Sequence, residues 1–471
     1  MDLVRYNYTP KDENKEHDNL LLQFQIYNLL TPDVSISAIP CPAPPPCDCD
    51  GNSINCDSRN LTEVPRFTFS NGSFRWVDLS SNSIKDIPSK AFMNITGLYY
   101  LKLADNQIMN IADDALYGAE NTLEFLFMRN NKMTKIPTAL GMMRDVSSLG
   151  IDGNPVLDFQ ADVFQNVSST LQYLNFGYPG MSFWPDSIRY LTNLTSLSVR
   201  DLAMDYLPLS AFSGLEKKLG LLEFERCRIR SLPLSLSTLD ALDLLSLDSN
   251  PNLTLSGIPR EAFSGIKSLN QISITNQSFD TIPDIFHDAL TITTIETTGT
   301  PITHFDASLI PDDNNLQNIQ FSDTLLEKFP TAIAKMKNLQ TLIIRNSSIR
   351  SVPSSAFEGL TKVTYIGITN APLISFSDEA LRDTRNLQFL FLSNTNLTTI
   401  PKAINGLPYL RNVDLEGNKI ICTCASLGWL KHWDGSNYMI PIGDCDNLPN
   451  VSLAGYYRDN VPNCPDETMI S

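Results

Sequence analysis

One phrase, Leu-x-x-Leu-x-Leu-x-x-Asn-x-Leu, recurs fifteen times between Phe74 and Ile420, and successive copies begin about 24 residues apart. Clear copies are FRWVDLSSNSI from Phe74, LYYLKLADNQI from Leu98 and LRNVDLEGNKI from Leu410. A unit this short cannot bury its own apolar face, so neighbouring copies must stack on one another. The period therefore predicts a continuous solenoid, whose length is set by the number of repeats rather than by separate domains.

Each copy is predicted to begin with a short β-strand. Apolar residues two positions apart, such as Leu101 and Leu103, point the same way from an extended chain. The Asn that follows, as at Asn106, suits a buried amide that satisfies backbone groups where the chain leaves the strand. In other copies this Asn slot holds a small residue that can also hydrogen-bond, and we expect these residues to keep the role: Cys227, Thr300, Thr324, Ser347 and Thr395. Pro179 and Ala371 occupy the slot in two copies and cannot donate there.

These residues resemble the leucine-rich repeat family, and the resemblance covers about 350 residues. It implies an α/β solenoid, a horseshoe of about 15 repeats with a parallel β-sheet on its concave face and disulfide caps at both ends. Parallel strands lie about 4.8 Å apart, so fifteen of them would give an inner arc of roughly 70 Å, enough to hold a whole protein. The longer copies are expected to place large apolar plugs on the convex side, at Phe92, Phe212, Phe263 and Phe357.

Eight of the nine cysteines lie outside the repeats, in one cluster at each end. The clusters contain Cys41, Cys47, Cys49 and Cys56, and Cys422, Cys424, Cys445 and Cys464. The end repeats of a solenoid expose a core face, which extracellular repeat proteins cover with disulfide-stapled units. If each cluster closes on itself, three pairings per cluster are possible. A Cys-x-Cys pair could also begin a zinc site, but no His pair lies nearby, so we expect no metal. The ninth, Cys227, is predicted to be a buried free thiol.

The two clusters resemble the N-terminal and C-terminal flanking caps of extracellular leucine-rich repeat proteins, the second more specifically because Trp429, Leu430 and Trp433 follow Cys-x-Cys. The resemblance implies the disulfides Cys41–Cys49, Cys47–Cys56, Cys422–Cys445 and Cys424–Cys464. The predicted domains are a polar, loosely ordered tail at 1–40, a cap at 41–73, repeats at 74–421, a cap at 422–464 and a short tail at 465–471.

Disulfide caps place the chain in the secretory pathway, outside the cytosol. Eleven Asn-x-Ser/Thr sequons agree with this location. The ten that follow residue 41 are predicted glycosylation sites: Asn60, Asn71, Asn94, Asn166, Asn193, Asn252, Asn276, Asn346, Asn396 and Asn450. The first thirty residues do not form a standard signal peptide, since they are charged early and interrupted later. We expect either that the true start is missing or that this Met begins an imperfect gene model. No run of 18 apolar residues occurs, so neither a membrane span nor a GPI tail is expected.

Composition and motifs argue for binding and against catalysis. With 35 Lys and Arg against 52 Asp and Glu, the net charge of −17 disfavours nucleic acid and anionic membranes and favours a basic or neutral partner. The four histidines fall in unrelated places, and no zincin, triad, phosphate-loop or kinase motif is present. We therefore expect no enzymatic activity and no cofactor.

The variable positions of the strands are predicted to form the binding surface, because they face the concave side in register from one repeat to the next. Aromatic residues crowd the first five repeats and return in a smaller group at Tyr365, Phe389 and Phe391. Large rigid side chains with charged neighbours are what binding hot spots use. The predicted partner-binding residues are Trp76, Tyr100, Lys102, Phe125, Phe127, Arg129 and Tyr173. The alternative is that stacked aromatic rings only stabilise the sheet. Glycans at Asn276 and Asn346, near the concave rim, would obstruct the later repeats and favour docking on repeats one to five.

Two classes of function fit these expectations. In the first, the chain is a secreted or membrane-tethered recognition protein, resembling the ectodomains of Slit, Toll-type receptors and lamprey variable lymphocyte receptors, which binds a protein ligand reversibly. In the second, it is a structural or matrix-organising protein like the small leucine-rich proteoglycans. The repeat itself names neither the ligand nor the oligomeric state, because function lies in the variable surface positions.

Overall fold

The predicted strands form at the predicted places in the repeat. The computed structural model describes residues 40–69, 72–433 and 440–465. In chain order its strands are β1 Asp48–Asp50, β2 Ser53–Asn55, β3 Trp76–Asp78, β4 Asp86–Ile87, β5 Tyr100–Lys102, β6 Asn110–Ile111, β7 Phe125–Phe127, β8 Ser148–Gly150, β9 Tyr173–Phe176, β10 Ser196–Arg200, β11 Leu221–Glu225, β12 Leu244–Asp248, β13 Gln271–Thr275, β14 Thr294–Thr298, β15 Asn318–Ser322, β16 Thr341–Arg345, β17 Ser351–Val352, β18 Tyr365–Thr369, β19 Ser375–Phe376, β20 Phe389–Phe391 and β21 Asn412–Asp414. The expectations for the N-terminal tail up to residue 39, for Asn71 and for the tail from residue 466 lie outside the described residues.

Helices are short and lie between the strands and in the C-terminal cap. The α-helices are α1 Ala161–Val167, α2 Cys424–Leu427 and α3 Leu453–Asp459. The 3-10 helices are Thr138–Met142, Asp186–Tyr190, Leu234–Thr238, Leu255–Gly257, Arg260–Phe263, Ala307–Leu309, Thr331–Lys335, Lys402–Ile404, Gly428–His432 and Val461–Asn463. Several of these 3-10 helices begin directly after a proline, such as Pro137, Pro233 or Pro330. Proline has no backbone N–H to donate.

One sheet of 17 strands runs through the unit formed by residues 42–471, as far as that unit is described. The cap hairpin of β1 and β2 is antiparallel, β2 adds in parallel to β3, and the repeat strands then continue in parallel in chain order. The remaining strands form two small parallel pairs, β4 with β6 and β17 with β19. The parallel sheet of a leucine-rich repeat solenoid is therefore confirmed, with caps whose disulfides are described below.

The core lies behind the sheet and is filled as the repeat predicts. The middle residue of each short strand points inward, so that Val77 and Leu101 have no exposed surface. The four predicted plugs, Phe92, Phe212, Phe263 and Phe357, are at most 1% exposed. Each repeat therefore buries an apolar layer against its two neighbours.

The Asn slot carries a ladder of buried hydrogen bonds. The Asn106 amide donates to Leu79 O at 2.9 Å, in the preceding repeat, and its Oδ1 accepts from Ile84 N at 3.0 Å. Thr300 keeps the role, because its hydroxyl accepts from Gln277 N at 3.2 Å. The expectation that every replacement keeps the role is wrong at Thr324 and Ser347. Their buried hydroxyls have no hydrogen-bond partner within the described chain. The hydroxyl of Thr300 does bond with the preceding repeat, so the residue type alone does not decide whether the bond forms.

A left-handed residue precedes the Asn slot in most repeats. Its φ lies between 49° and 56° in Ser81, Asp105, Asn130, Asp201, Arg226, Ser249, Asn276, Asp323, Asn346, Asn370 and Asn394. Gly, Asn and Asp tolerate this conformation better than other residues do. The sharp turn out of each strand therefore explains why these residue types recur beside the Asn slot.

Three of the four implied disulfides are present as predicted. Cys47 pairs with Cys56, Cys422 with Cys445 and Cys424 with Cys464. Cys41 and Cys49 are also disulfide-bonded, while their pairing with each other stays a prediction. The clusters at both ends of the repeats are thus covalently stapled, although the exact domain boundaries stay predictions.

Cys227 is the buried free thiol that the sequence predicts. It has no exposed surface, and its Sγ donates to Val199 O at 3.3 Å, in the place of the amide of an Asn. Burial is the main reason that the pKa of the thiol rises to about 12.

We therefore expect Cys227 to resist alkylation in the folded protein. At pH 8 to 9 iodoacetamide should modify it only after denaturation, because burial disfavours the reactive thiolate and also keeps the reagent away from the sulfur. Intact mass before and after addition of denaturant measures this. The folded state disfavours the thiolate, so the contribution of Cys227 to stability is complete below the ordinary thiol pKa and declines as the pH rises toward 12. Rapid labelling of the folded protein would contradict the buried position.

Candidate protein-binding face

Aromatic rings from three neighbouring strands form a continuous layer on the concave face. We call Trp76, Tyr100, Phe125 and Phe127 the N-terminal aromatic patch. Strand register sets Trp76 beside Tyr100 and Tyr100 beside Phe125. The Trp76 and Tyr100 rings stack with centroids 4.4 Å apart, and the Phe127 ring lies 5.5 Å from that of Tyr100. The parallel sheet thus converts a sequence column into one aromatic surface.

Phe125 differs from the other rings of the N-terminal aromatic patch because it is only 8% exposed. Tyr99, from the preceding repeat, packs its ring edge against Phe125 at 5.2 Å. Trp76, Tyr100 and Phe127 keep a half-buried side chain each. Phe125 therefore supports the layer from below, and the surface that a partner can reach is formed by the other three rings.

Charged side chains surround the N-terminal aromatic patch. Lys102 lies 3.7 Å from Asp78, and Arg129 lies 3.9 Å from Asp105. All four side chains are between one fifth and two fifths exposed, so such pairs add little to stability and remain available to a partner. The predicted binding residues Lys102 and Arg129 thus border the rings.

At the edge of the same surface, the Arg75 guanidinium lies 4.5 Å from the centre of the Tyr99 ring. Burial, and then the hydrogen bond with Glu124, raise the pKa of Tyr99 above its usual range. The edge therefore presents a neutral phenol between an arginine and a carboxylate.

Tyr173 is not part of the N-terminal aromatic patch. The register places Ser148 between Phe125 and Tyr173, so two strand spacings, roughly 10 Å, separate them. Tyr173 instead lies near Arg200. The predicted set of binding residues is therefore divided between two parts of the concave face.

The second part is an ion cluster, which the sequence analysis missed. Arg200 is 6% exposed, with Nη1 3.6 Å from Asp152 Oδ2 and Nε 2.6 Å from Glu225 Oε2. The Nε–H does not point at that oxygen, so the contact is an ion pair rather than a linear hydrogen bond. Burial opposes the charge on Arg200, but the carboxylates of Asp152 and Glu225 outweigh it and raise the guanidinium pKa.

The ion cluster continues toward solvent through Arg226. Its guanidinium forms two hydrogen bonds with Asp201, Nε to Oδ1 at 2.8 Å and Nη2 to Oδ2 at 3.0 Å, and also contacts Glu225. Opposite charges at the same repeat position, Asp152, Arg200 and Glu225, were the signal in the sequence that could have revealed it. The middle of the concave wall is thus charged, beside the aromatic layer.

The smaller aromatic group also forms as predicted. The rings of Tyr365 and Phe391 stack with centroids 5.2 Å apart, and Phe389 lies 6.3 Å from Tyr365. Burial is the main cause of a raised pKa at Tyr365. This C-terminal aromatic patch occupies the same strand positions as the N-terminal one.

None of the described sequon asparagines lies within a strand of the sheet. Asn276 and Asn346 are exposed and directly follow β13 and β16, near the rim. Other sequon amides join neighbouring repeats by donating to a backbone carbonyl: Asn94 to Phe67 at 2.8 Å, Asn193 to Ser169 at 3.1 Å and Asn252 to Arg228 at 3.2 Å. Which sequons carry glycans stays a prediction, as does the partner-binding set.

Two other features are absent from the described residues. In the described part of the chain, no helix combines the length and apolarity that crossing a bilayer requires. Among residues 40–69, 72–433 and 440–465, no three His, Cys, Asp or Glu side chains are grouped so as to hold a metal ion.

Comparison with protein families supports the fold. A model described as leucine rich repeat matches residues 52–108, 72–133, 337–397 and 363–420, and a model described as BspA type leucine rich repeat region, of 6 copies, matches residues 245–347. Together the matches cover more than half of the 471 residues.

Comparison with individual proteins agrees. Podocan-like protein 1 of Mus musculus is 24% identical over 395 residues, which cover 81% of this chain and 66% of the relative, so the chain spans about two thirds of that protein's length. A leucine-rich repeat protein of Leptospira interrogans is similar in structure, with a TM-score of 0.50, 21% identity and coverage of 78% of this chain and 85% of its own. A chain in the Drosophila Toll–Spatzle complex has a TM-score of 0.51, 16% identity and coverage of 74% and 48%. These structural similarities show the fold alone.

Proposed function

The chain belongs to the leucine-rich repeat family, and we propose that it is a non-catalytic extracellular recognition protein that binds a protein partner through the concave face of repeats one to five. Leucine-rich repeat proteins related to it include proteoglycans and receptor ectodomains, families that bind protein partners. The disulfides in both caps support an oxidising, extracellular location.

The observation that carries the proposal is the N-terminal aromatic patch. Three half-buried rings, Trp76, Tyr100 and Phe127, form one surface with Lys102 and Arg129 at its border. Aromatic residues and arginine dominate the binding energy of protein interfaces, because they bury a large area and lose little conformational freedom. The net charge of −17 favours a partner that is neutral or basic.

A capture experiment tests this proposal. Protein made in a secretory host is used to retain partners from an extracellular extract, and the retained protein is then titrated against the variant Trp76→Ala/Tyr100→Ala/Phe127→Ala. Phe125 is left intact because it is buried. Loss of hot-spot rings should weaken binding by about 30-fold or more, since each such ring is worth about 2 kcal/mol or more.

The matched control is Tyr365→Ala/Phe389→Ala/Phe391→Ala, which removes rings from the same strand positions in the C-terminal aromatic patch. This control should retain the partner as the unchanged protein does. Equal capture by both variants would exclude the N-terminal aromatic patch as the binding site, and near-ultraviolet circular dichroism shows whether each variant is folded.

A further inference from the structure

A polar groove follows the rim at which the strands β3, β5, β7, β8 and β9 of the main sheet begin. It has a volume of about 600 Å³ and differs from the aromatic layer because it is lined mainly by polar side chains. Its lining comes from five consecutive repeats, with Arg75, Tyr99, Glu124, Ser147 and Gln172 at the same repeat position. Five strands about 4.8 Å apart make the groove roughly 20 Å long. Sites of about 300–1,000 Å³ hold small molecules, so this groove has room for an elongated one.

The lining of this rim groove is built for hydrogen bonds. Eight of its twelve residues carry a hydroxyl or a primary amide, and none carries an aliphatic side chain. Hydroxyls and amides both donate and accept, whereas charged groups do only one. Among these residues, Asn121, Asp145 and Gln172 are exposed, and their side chains make no hydrogen bond or ion pair within the described residues. The groove thus offers free polar groups along its length.

An extended peptide is a poor fit for the rim groove, because the backbone there is already paired. Glu124 N and Phe125 N both donate to Tyr99 O, at 2.9 and 3.1 Å, and Ser147 N donates to Glu124 O at 3.0 Å. Peptides that add to a sheet need unpaired backbone groups and apolar pockets for alternate side chains. The rim groove offers neither.

A strongly charged ligand fits no better. The ionised side chains in the lining are Arg75, Glu124 and Asp145, which leave only one net negative charge. Arg75 lies over the Tyr99 ring, and Glu124 is hydrogen-bonded with Tyr99 and with Ser147. The ligand that matches such a lining is uncharged, elongated and rich in groups that both donate and accept.

We propose that the rim groove binds a neutral oligosaccharide. Its hydroxyl groups would bond with the free amides of Asn121 and Gln172 and with the Asp145 carboxylate, and its length suits a groove that crosses five repeats. This proposal does not rest on protein binding by the aromatic patch, since it uses a different row of side chains.

The oligosaccharide could come from either of two sources. Asn193 is a sequon in the next repeat, and its amide bonds with the carbonyl of Ser169, which lines the rim groove. A glycan on Asn193 would therefore begin beside the groove and could occupy it. The alternative source is a glycan carried by another molecule.

Binding to an array of neutral and acidic oligosaccharides tests the proposal, using full-length protein from a secretory host. The unchanged protein and the variant Asn193→Gln should be compared. Retention of a neutral oligosaccharide by both supports an external source, while retention by Asn193→Gln alone supports occupancy by the chain's own glycan. No retention of any neutral oligosaccharide by either protein would overturn the proposal, as would binding restricted to acidic sugars and lost at high salt.

The groove itself is tested by Asn121→Ala/Gln172→Ala, in the Asn193→Gln background. Loss of two amides should weaken binding of the retained oligosaccharide by about tenfold or more. The matched control is Gln340→Ala, which removes a glutamine at the same repeat position outside the groove and should leave binding unchanged. Because all three amides are exposed, none of these changes should unfold the protein. Equal binding by the double variant and the control would place the sugar elsewhere.

Discussion

Replacing Asn106 with alanine should reduce the protection of its repeat against local unfolding by about 3 kcal/mol. The Asn106 amide donates to Leu79 O, Leu103 O and Ala104 O at 2.9 to 3.2 Å, and its Oδ1 accepts from Ile84 N at 3.0 Å. Alanine would leave the Ile84 N–H buried without a partner, which costs about 1–3 kcal/mol, and would remove three further bonds of about 0.5–1.5 kcal/mol each. Hydrogen exchange at the Ile84 amide measures the loss, expected as about a 100-fold faster rate.

Thr324→Val provides the contrast at another Asn slot. The Thr324 hydroxyl is buried without a partner in the described chain, so its replacement by a methyl group of similar shape should leave stability unchanged or raise it. Asn110→Ala controls for loss of an exposed asparagine in the same repeat as Asn106, and should cost less than about 0.5 kcal/mol. If Asn106→Ala were no more damaging than these two changes, the buried ladder would not be what joins the repeats.

The sequence predicts the fold well because each repeat contacts mainly its neighbours. A phrase that recurs at a fixed period determines the strand, the inward residues and the Asn slot locally, and stacking then repeats the same solution. The implied pairings Cys47–Cys56, Cys422–Cys445 and Cys424–Cys464 are also correct. The repeat features depend on spacing, which a sequence displays directly, whereas the pairings follow from the resemblance to the flanking caps, since spacing alone leaves three pairings per cluster.

Features that depend on reach between repeats were not predicted. The alternation of side chains along a β-strand predicts the same exposure for every outward-facing position. Phe125 is nevertheless covered, because the Tyr99 ring packs against it from another repeat position. The Thr324 hydroxyl could form a bond in principle, as that of Thr300 does, yet it has no partner within the described chain. Contact across a solenoid is decided by side-chain length and direction as well as by register.

The backbone turn of repeat five is another feature that the sequence did not predict. Pro179, predicted to lie in an Asn slot, is exposed, and the chain turns instead through Gly177 with a φ of 121°. A Cβ at Gly177 would lie 1.9 Å from Arg200 O, so only glycine fits there. This irregular turn is therefore set by the close approach of the next repeat's backbone, which no single repeat reveals.

Replacing Arg200 with methionine should destabilise the protein by about 3–5 kcal/mol near neutral pH, since breaking a buried ion pair removes the buried counter-charge that Asp152 and Glu225 share. Asp152 and Glu225 would then be buried beside an apolar side chain, at 7% and 6% exposure. Urea denaturation followed by fluorescence measures the loss.

Two further variants separate burial from charge in the ion cluster. Arg226→Met removes a guanidinium that is half exposed, so it should cost about 1 kcal/mol or less. The variant Asp152→Leu/Arg200→Met/Glu225→Leu should recover much of the stability lost in Arg200→Met, because replacing a whole buried ion cluster with apolar residues is often neutral. Equal losses for Arg200→Met and Arg226→Met would contradict the distinction between buried and exposed charge. Recovery in the triple variant would instead show that the buried cluster costs the fold as much as it contributes.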